Sequence, residues 1–216
     1  KDILIIMIAV IDYGVGNLFS LLSSLNYVGL DTKLTNNIEE IKKAEGIILP
    51  GVGAFRDAVT NLEKYALKDL LINEAKSGKP FLGICLGMQM LFDRSYEYGE
   101  YEGLGLISGT IEEIKKFLPA DSTLKIPHMG WNKLKINDKF RDDRILENIN
   151  VDSEEYVYYV HSYFARTDME NIIAYSEYGT NISGIVKNGN VYGMQFHPEK
   201  SGDTGLKLLK NWGELI

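Results

Sequence analysis

Cysteine and histidine are scarce in this chain of 216 residues, which contains one cysteine and three histidines. A lone cysteine excludes a disulfide framework and fits a reducing compartment, so we expect a cytoplasmic location. The histidines stand apart from one another at positions 128, 161 and 197. One cysteine and three scattered histidines do not make a zinc-ligand cluster, so we expect no metal and no cofactor.

Basic residues and long apolar runs are also in short supply. The 23 Lys and Arg residues against 30 Asp and Glu residues give a net charge of −7. That balance lacks the basic footprint of a nucleic-acid-binding protein. The apolar run over residues 3–11 is far shorter than the roughly 20 residues that cross a bilayer as a helix. With 45% apolar and 25% charged residues, the composition predicts a soluble globular chain with one domain over residues 1–216.

The single cysteine lies between two apolar segments of different character. Residues 80–84 predict a buried strand, and residues 88–92 predict the start of a helix. Gly83 and Gly87 flank Cys85 in the pattern Gly-x-Cys-x-Gly, the thiol form of the nucleophile elbow. Such a turn holds the sulfur at a helix N-terminus, where free N–H groups favour a thiolate. A buried structural cysteine is the alternative, but it leaves both glycines unexplained.

A nucleophilic cysteine needs a base and a group that orients the base. His197 follows the apolar segment 191–196, which predicts a strand ending where Cys85's own strand ends. Glu199 lies two residues further on and can accept a hydrogen bond from the imidazole. A lone His-x-Glu is more often a solvated turn. Together with the elbow, it predicts a catalytic triad of Cys85, His197 and Glu199.

A glycine-rich loop supplies the third requirement, an oxyanion hole. Residues 46–49 predict a strand, and Pro-Gly-Val-Gly follows at 50–53. Backbone N–H groups of Val52 and Gly53, with that of Leu86 after the nucleophile, are the expected donors. A phosphate-binding loop is the rival interpretation. It fails because no Gly-Lys-Ser/Thr follows and the third glycine of a dinucleotide fingerprint is missing.

Strands and helices alternate through the first half of the chain. Strands are expected at 3–11, 31–35, 46–49 and up to Cys85, with helices after Asn17 as N-cap, around 38–41 and over 55–77. This rhythm predicts an α/β fold with a doubly wound, mostly parallel sheet flanked by helices. Residues 103–196 favour additional short antiparallel strands at one edge, and residues 206–212 a closing helix.

Two motifs carry a family resemblance: Gly-Ile-Cys-Leu-Gly-Met-Gln at 83–89 and Phe-His-Pro-Glu at 196–199. They resemble the triad-type, class I glutamine amidotransferases. Further segments narrow the resemblance to the glutaminase subunit of imidazole glycerol phosphate synthase, an enzyme of histidine biosynthesis: 8–18, 49–55, 103–107, 127–132 and 197–201. Pro-His-Met-Gly-Trp-Asn at 127–132 and His-Pro-Glu-Lys-Ser at 197–201 discriminate best. The family usually starts at the position of Met7, so residues 1–6 are expected to be an upstream extension.

The resemblance implies a reaction, a partner and further site residues. L-Glutamine is hydrolysed, and the ammonia passes to a (β/α)8-barrel synthase subunit in a heterodimer. Glutamine-binding roles fall on Gln89, Glu97, Ser162 and Tyr163. The partner interface falls on Asn17, Pro127, His128, Met129, Gly130, Trp131, Asn132, Tyr158 and Lys200. The partner with its bound substrate is expected to activate the glutaminase by flipping a peptide of the 50–53 loop.

Structural alternatives accompany these assignments. Gln89 and Glu97 could be solvated, Tyr163 and Trp131 could be core residues, and Asn17 could only cap a helix. Two other functions also remain open. One is a paralogous subunit that feeds ammonia to a sugar amidotransferase in surface-polysaccharide synthesis. The other is a non-catalytic binding subunit, against which the intact Cys85, His197 and Glu199 argue.

Overall fold

The computed structural model describes residues 7–14, 16, 18–150 and 155–216. The expected extension at 1–6 and the expected cap and interface residue Asn17 lie outside the described residues. Helices α1 to α6 are formed by Phe19–Tyr27, Ile38–Lys43, Phe55–Lys64, Lys68–Lys76, Leu86–Met90 and Gly202–Gly213. Short 3-10 turns occur at Ile114–Phe117, Asp138–Phe140, Arg144–Leu146, Met169–Asn171 and Pro198–Lys200. None of the helices within these ranges is long and apolar enough to cross a bilayer.

Strands β1 to β14 complete the described elements. In chain order they are Ile8–Ile11, Thr32–Thr35, Gly46–Leu49, Phe81–Ile84, Phe92–Ser95, Tyr101–Glu102, Ile107–Glu113, His128–Lys133, Lys135–Ile136, Tyr156–His161, Tyr163–Arg166, Ile172–Glu177, Asn181–Asn188 and Val191–Met194. They form an eight-stranded sheet, a two-stranded ribbon of β8 and β10, and a four-stranded sheet in the order β11-β7-β5-β6.

The eight-stranded sheet has the order β2-β1-β3-β4-β14-β13-β12-β9. Its first five strands run parallel, and the last three are added antiparallel at one edge. Every residue of β1, β3, β4 and β14 is buried, as expected for parallel strands covered on both faces. The predicted α/β fold, mostly parallel with antiparallel additions, is confirmed.

Apolar side chains cover both faces of this sheet. On one face, Phe55 and Leu62 of α3 and Leu71 of α4 belong to one buried cluster. On the other face, α1 and α6 contribute to a second cluster, with Trp212 fully buried. The sheet is therefore held between two helical layers, and its carboxyl edge stays open for a site.

Three local expectations need correction. The helical region 55–77 is two helices, because the chain adopts a left-handed conformation at Ala66, with φ 55°. The helix after Cys85 ends at Met90, and Phe92 starts β5 instead. The cause is that the Met90 and Leu91 carbonyls accept hydrogen bonds from the N–H groups of residues 104, 106 and 107. Finally, α1 begins at Phe19, and Leu18 occupies its N-cap position, for which the sequence predicted Asn17.

Candidate active site

Cys85 occupies a strained turn between β4 and α5. Its backbone has φ 54° and ψ −111°, a region that residues with a side chain rarely adopt. A Cβ at Gly87 would lie 1.8 Å from the Leu49 carbonyl oxygen, and one at Gly83 would lie 2.7 Å from the Gly87 oxygen. Only glycine fits at either position. The sequence pattern around Cys85 therefore folds into the expected elbow.

His197 and Glu199 lie at the carboxyl end of β14, the strand that pairs with β4. His197 Nδ1 is 2.8 Å from Glu199 Oε1, and both side chains are buried. Burial alone lowers the pKa of His197, but hydrogen bonds to the Cys85 sulfur and the Glu199 carboxylate raise that pKa to about 10. Because Nδ1 faces the carboxylate, Nε2 is left for the sulfur. The geometry allows the His197 imidazole to exchange a proton with a group at the Cys85 sulfur.

The 50–53 loop closes the expected oxyanion hole. The Leu86 N–H, one expected donor, is 3.3 Å from the Gly51 carbonyl oxygen and donates to it. A trans peptide directs its N–H away from its carbonyl, so the Val52 N–H points away from the hole. The loop is anchored at its start, where the Tyr13 hydroxyl donates to the Pro50 oxygen at 2.6 Å. Neither the Leu86 nor the Val52 donor is available in this conformation.

One cavity of about 290 Å³ brings the expected residues together. Its lining contains Cys85, His197, all four expected glutamine-binding residues and the three expected oxyanion residues: Gln89, Glu97, Ser162, Tyr163, Val52, Gly53 and Leu86. Tyr98, Val160 and His161 also line it, although the sequence did not single them out for this site. The expected substrate-binding residues therefore share one space with the nucleophile.

Two of the expected glutamine-binding residues are fixed by the protein itself. The Gln89 side chain is 5% exposed, so the alternative of a solvated residue is wrong. Its Nε2 donates to the Tyr163 carbonyl at 2.9 Å and to Gln195 Oε1 at 3.1 Å. Glu97 Oε2 accepts the Phe55 N–H at 2.6 Å, at the N-terminus of α3. Burial raises the pKa of Glu97, and the bond from Phe55 partly opposes that rise.

Six of the nine expected interface residues lie on the ribbon of β8 and β10, beside the cavity: His128, Met129, Gly130, Trp131, Asn132 and Tyr158. Met129 is 66% and Trp131 57% exposed, so the alternative of a core residue is wrong for Trp131. Tyr158 pairs with Trp131 in register, and the Lys200 ammonium lies 6.0 Å from the Tyr158 ring. Pro127 is exposed, Gly130 and Asn132 are half-buried, and His128 is buried. The ribbon thus presents Met129 and Trp131 outward and His128 inward.

Sequence reasoning missed Gln195. It is fully buried, and its Nε2 lies 3.9 Å from the Cys85 sulfur. A polar residue in the otherwise apolar segment before His197 was the signal that could have found it.

Comparison with known proteins agrees with this geometry. The family described as glutamine amidotransferase class-I matches residues 9–214. The chain belongs to the class I glutamine amidotransferase family. An imidazole glycerol phosphate synthase subunit HisH from Listeria monocytogenes is 47% identical over 210 residues, covering 97% of this chain and 96% of that protein. The subunit HisH from Caldanaerobacter subterraneus is 47% identical over 211 residues, covering 97% and 98%. The resemblance to this glutaminase subunit is confirmed, and the chain is a glutamine amidotransferase subunit.

Solved structures share the fold at low sequence identity. PurLQS from Thermotoga maritima superposes with a TM-score of 0.71 at 19% identity, covering 97% of this chain and 98% of that one. A crystal structure of a glutamine amidotransferase gives a TM-score of 0.69 at 18% identity, with coverage of 95% and 98%. These likenesses concern the fold alone.

Proposed function

We propose that Cys85, His197 and Glu199 hydrolyse L-glutamine to glutamate and ammonia in the reducing cytoplasm. The ammonia passes to a (β/α)8-barrel synthase subunit that makes imidazole glycerol phosphate in histidine biosynthesis. One observation carries the proposal: the strained Cys85 elbow lines the same cavity as His197, whose imidazole is hydrogen-bonded to Glu199.

The first half of the reaction forms a thioester. The Cys85 thiolate attacks the carboxamide carbon of glutamine, and the carbonyl π electrons move onto oxygen. When the tetrahedral intermediate collapses, the carbon–nitrogen bond breaks and His197 gives its proton to the departing nitrogen. Ammonia leaves, and the imidazole is neutral. Glu199 keeps the ring oriented, with Nδ1 toward itself.

The second half regenerates the enzyme. Neutral His197 removes a proton from a water molecule that attacks the thioester carbon. Collapse of the second tetrahedral intermediate breaks the carbon–sulfur bond. Glutamate leaves, and Cys85 and His197 return to thiolate and imidazolium. Protons balance because one proton of the water replaces the one given to ammonia, and the other leaves the new γ-carboxyl group for solvent.

Efficient turnover in this scheme requires the 50–53 loop to rearrange. Rotation of the Gly51–Val52 peptide would remove the Gly51 carbonyl from Leu86 and turn the Val52 N–H inward. One oxyanion donor contributes roughly 3–4 kcal/mol in comparable sites. Gly51 and Gly53 make such a rotation inexpensive, and Gly53 already has φ +97°. Binding of the partner and its substrate would favour the open arrangement.

The ribbon of β8 and β10 is the proposed contact with the barrel subunit. Exposed Met129 and Trp131, with Tyr158, give the methionine and aromatic composition that protein interfaces favour, and Lys200 adds a positive charge beside Tyr158. The ribbon also contacts the triad, because the His197 N–H donates to the Tyr158 carbonyl at 2.9 Å. Movement of the ribbon on binding would therefore reach the catalytic histidine directly.

Two alternative functions are less well supported. A paralogue that serves a sugar amidotransferase would have the same site residues, but the curated relatives reported above are histidine-pathway subunits. The partner that co-purifies with the chain distinguishes the two. A non-catalytic binding subunit would have no need of the strained elbow or the buried His197–Glu199 pair.

Cys85→Ala tests the proposal. The variant complex should lose glutamine-dependent synthesis and keep ammonia-dependent synthesis, because the substitution removes ammonia production and leaves its use intact. Both nitrogen sources are supplied to the same preparation, so the ammonia arm controls for folding and assembly. Retained glutamine-dependent synthesis would show that Cys85 is not the nucleophile.

A further inference from the structure

Gln195 is a buried polar residue of the cavity region that the triad chemistry does not use. It directly follows β14 and precedes His197 by two residues. Its backbone N–H donates to the Gly184 carbonyl at 2.9 Å, and its side-chain Nε2 lies 3.9 Å from the Cys85 sulfur. Hydrogen bonds to sulfur are longer than those to oxygen because sulfur is the larger atom. The contact is therefore a long N–H···S hydrogen bond.

The orientation of the Gln195 amide is fixed by its neighbours. The Tyr163 carbonyl can only accept hydrogen bonds, so the Gln89 group beside it must be the NH₂ group. The second N–H of Gln89 then faces Gln195, which must present Oε1 as the acceptor. Gln195 is left with its own NH₂ group toward Cys85. A reversed Gln195 amide would oppose two donors at Gln89 and place an oxygen beside the sulfur.

The Tyr163 carbonyl also accepts the last bond of a second chain of hydrogen bonds, which begins on the ribbon of β8 and β10. His161 Nδ1 is 2.8 Å from the Tyr163 oxygen and therefore carries a proton, which leaves Nε2 as an acceptor. His128 Nδ1 donates to that nitrogen at 2.9 Å, and Asn132 Nδ2 donates to His128 Nε2 at 3.2 Å. Burial lowers the pKa of His128 to about 4 and that of His161 to about 3, so both rings stay neutral.

We propose that Gln195 is a positioning residue for the Cys85 thiolate, held in place by Gln89, the Tyr163 carbonyl and the chain through His161 and His128 to Asn132. Its N–H stabilises the sulfur anion from the side of β14, while His197 provides the proton. This role rests on the proposed nucleophilic function of Cys85. The proposal also connects His128 and Asn132 of the 127–132 motif to the active site.

Alkylation of Cys85 across a pH series tests the role without glutamine. The full chain is treated with iodoacetamide between pH 5 and 10, and modification of Cys85, its only cysteine, is followed by mass spectrometry. Gln195→Met keeps the length of the side chain and removes the donor. Its alkylation midpoint should rise by about one pH unit, since one hydrogen bond to a charged group is lost. Glutamine kcat should fall about tenfold.

Gln195→Glu makes the test graded. It keeps an acceptor for Gln89 but places a second negative charge beside the thiolate, so the midpoint should rise further than in Gln195→Met. The other titratable groups around the sulfur are unchanged in both variants: Tyr13, Glu97, Tyr98, His161, Tyr163, His197 and Glu199. A purely structural role for Gln195 would leave the Gln195→Met midpoint at the wild-type value.

Asn211→Leu is the matched control. Asn211 is a buried amide whose NH₂ group donates to the carbonyls of Ile145 and Glu147 and not to the cavity. This variant should lose stability yet keep the wild-type alkylation profile. On the unmodified chain, the Gln195 side-chain amide resonances should shift with the alkylation midpoint. The proposal would be overturned if a folded Gln195 variant had the same alkylation profile as the wild type. It would also be overturned if the Gln195 amide resonances did not shift across the pH series. Loss of glutaminase alone would not produce either outcome.

Discussion

The two walls of the cavity are built in opposite ways. The nucleophile wall, formed by Cys85, Gln89 and His197 with Gln195 behind them, is buried, and its side chains are hydrogen-bonded within the protein. The oxyanion loop, residues 50–53, is open beyond its first residues. Val52 is 49% exposed, and a Cβ at Gly53 would have no described atom within 4 Å.

Because of this difference, the residues proposed for nucleophilic attack are in place, whereas the groups that would stabilise the tetrahedral intermediate are not. Cys85, His197 and Glu199 are assembled in one fixed geometry. Two of the three expected oxyanion donors are withheld, because the Leu86 N–H is bonded to the Gly51 carbonyl and the Val52 N–H points away from the hole. Under the proposed function, a chain built this way should release little free ammonia at rest. Control of the reaction then requires movement of one exposed peptide and leaves the core unchanged.

Substitutions in the triad should have the largest effects on turnover. His197→Ala should lower glutamine turnover in the complex by roughly 100,000-fold, because the proton donor and base are both lost. Glu199→Gln should cost less, roughly 1,000-fold, since it removes only the group that orients the ring and stabilises its charge. Steady-state glutaminase assays measure both, with ammonia-dependent synthesis as the control for assembly. Wild-type turnover in Glu199→Gln would reduce Glu199 to a turn residue.

Two glycine substitutions compare how tightly the two walls are packed, through their effects on the free energy of unfolding. Gly87→Ala should destabilise the chain by about 3 kcal/mol or more, because the new Cβ has no room beside the Leu49 oxygen and the backbone must move. Gly53→Ala should cost only about 1–2 kcal/mol, the strain of a positive φ in open space. Urea unfolding of both variants gives the free energies. Equal losses would mean that the loop is as tightly packed as the elbow.

The next prediction concerns pH and the buried histidines behind the nucleophile wall. An unfolded histidine takes up a proton near pH 6.5, whereas folded His128 and His161 stay neutral down to about pH 4 and 3. The unfolded state therefore binds more protons in this window. The free energy of unfolding should fall as the pH drops from 6.5 toward 4, by about 1.4 kcal/mol per pH unit for each histidine.

His128→Phe isolates one of these contributions. The new ring can still stack between Tyr159 and Tyr178, whose centroids lie 4.6 and 4.0 Å from that of His128. The slope below pH 6 should decrease by about 1.4 kcal/mol per pH unit. Urea unfolding at pH 7, 6 and 5 provides the measurement. An unchanged slope would mean that His128 is already protonated in the folded chain.

The sequence predicted the parts of the site that depend on local geometry. The elbow could be predicted because only glycine fits at Gly83 and Gly87. His197 and Glu199 could be predicted because they follow a strand. Ala66 gave no signal of the break between α3 and α4, because alanine is a good helix former. Gln195 and His161 depend on contacts across 106 and 33 residues of sequence, respectively. Such partners become visible only when the sheet and the ribbon are assembled.

The central claim is that Cys85 is placed for attack while the oxyanion hole is closed. One paired measurement tests this claim most directly. Glutamine turnover and Cys85 alkylation are measured for the free chain, for the complex, and for the complex with the partner's nucleotide substrate. Turnover should rise by about 100-fold or more from first to last, since oxyanion donors become available. Alkylation, which needs no oxyanion hole, should change by no more than about twofold. Equal turnover in all three states would contradict the account and leave the loop as a fixed part of the site.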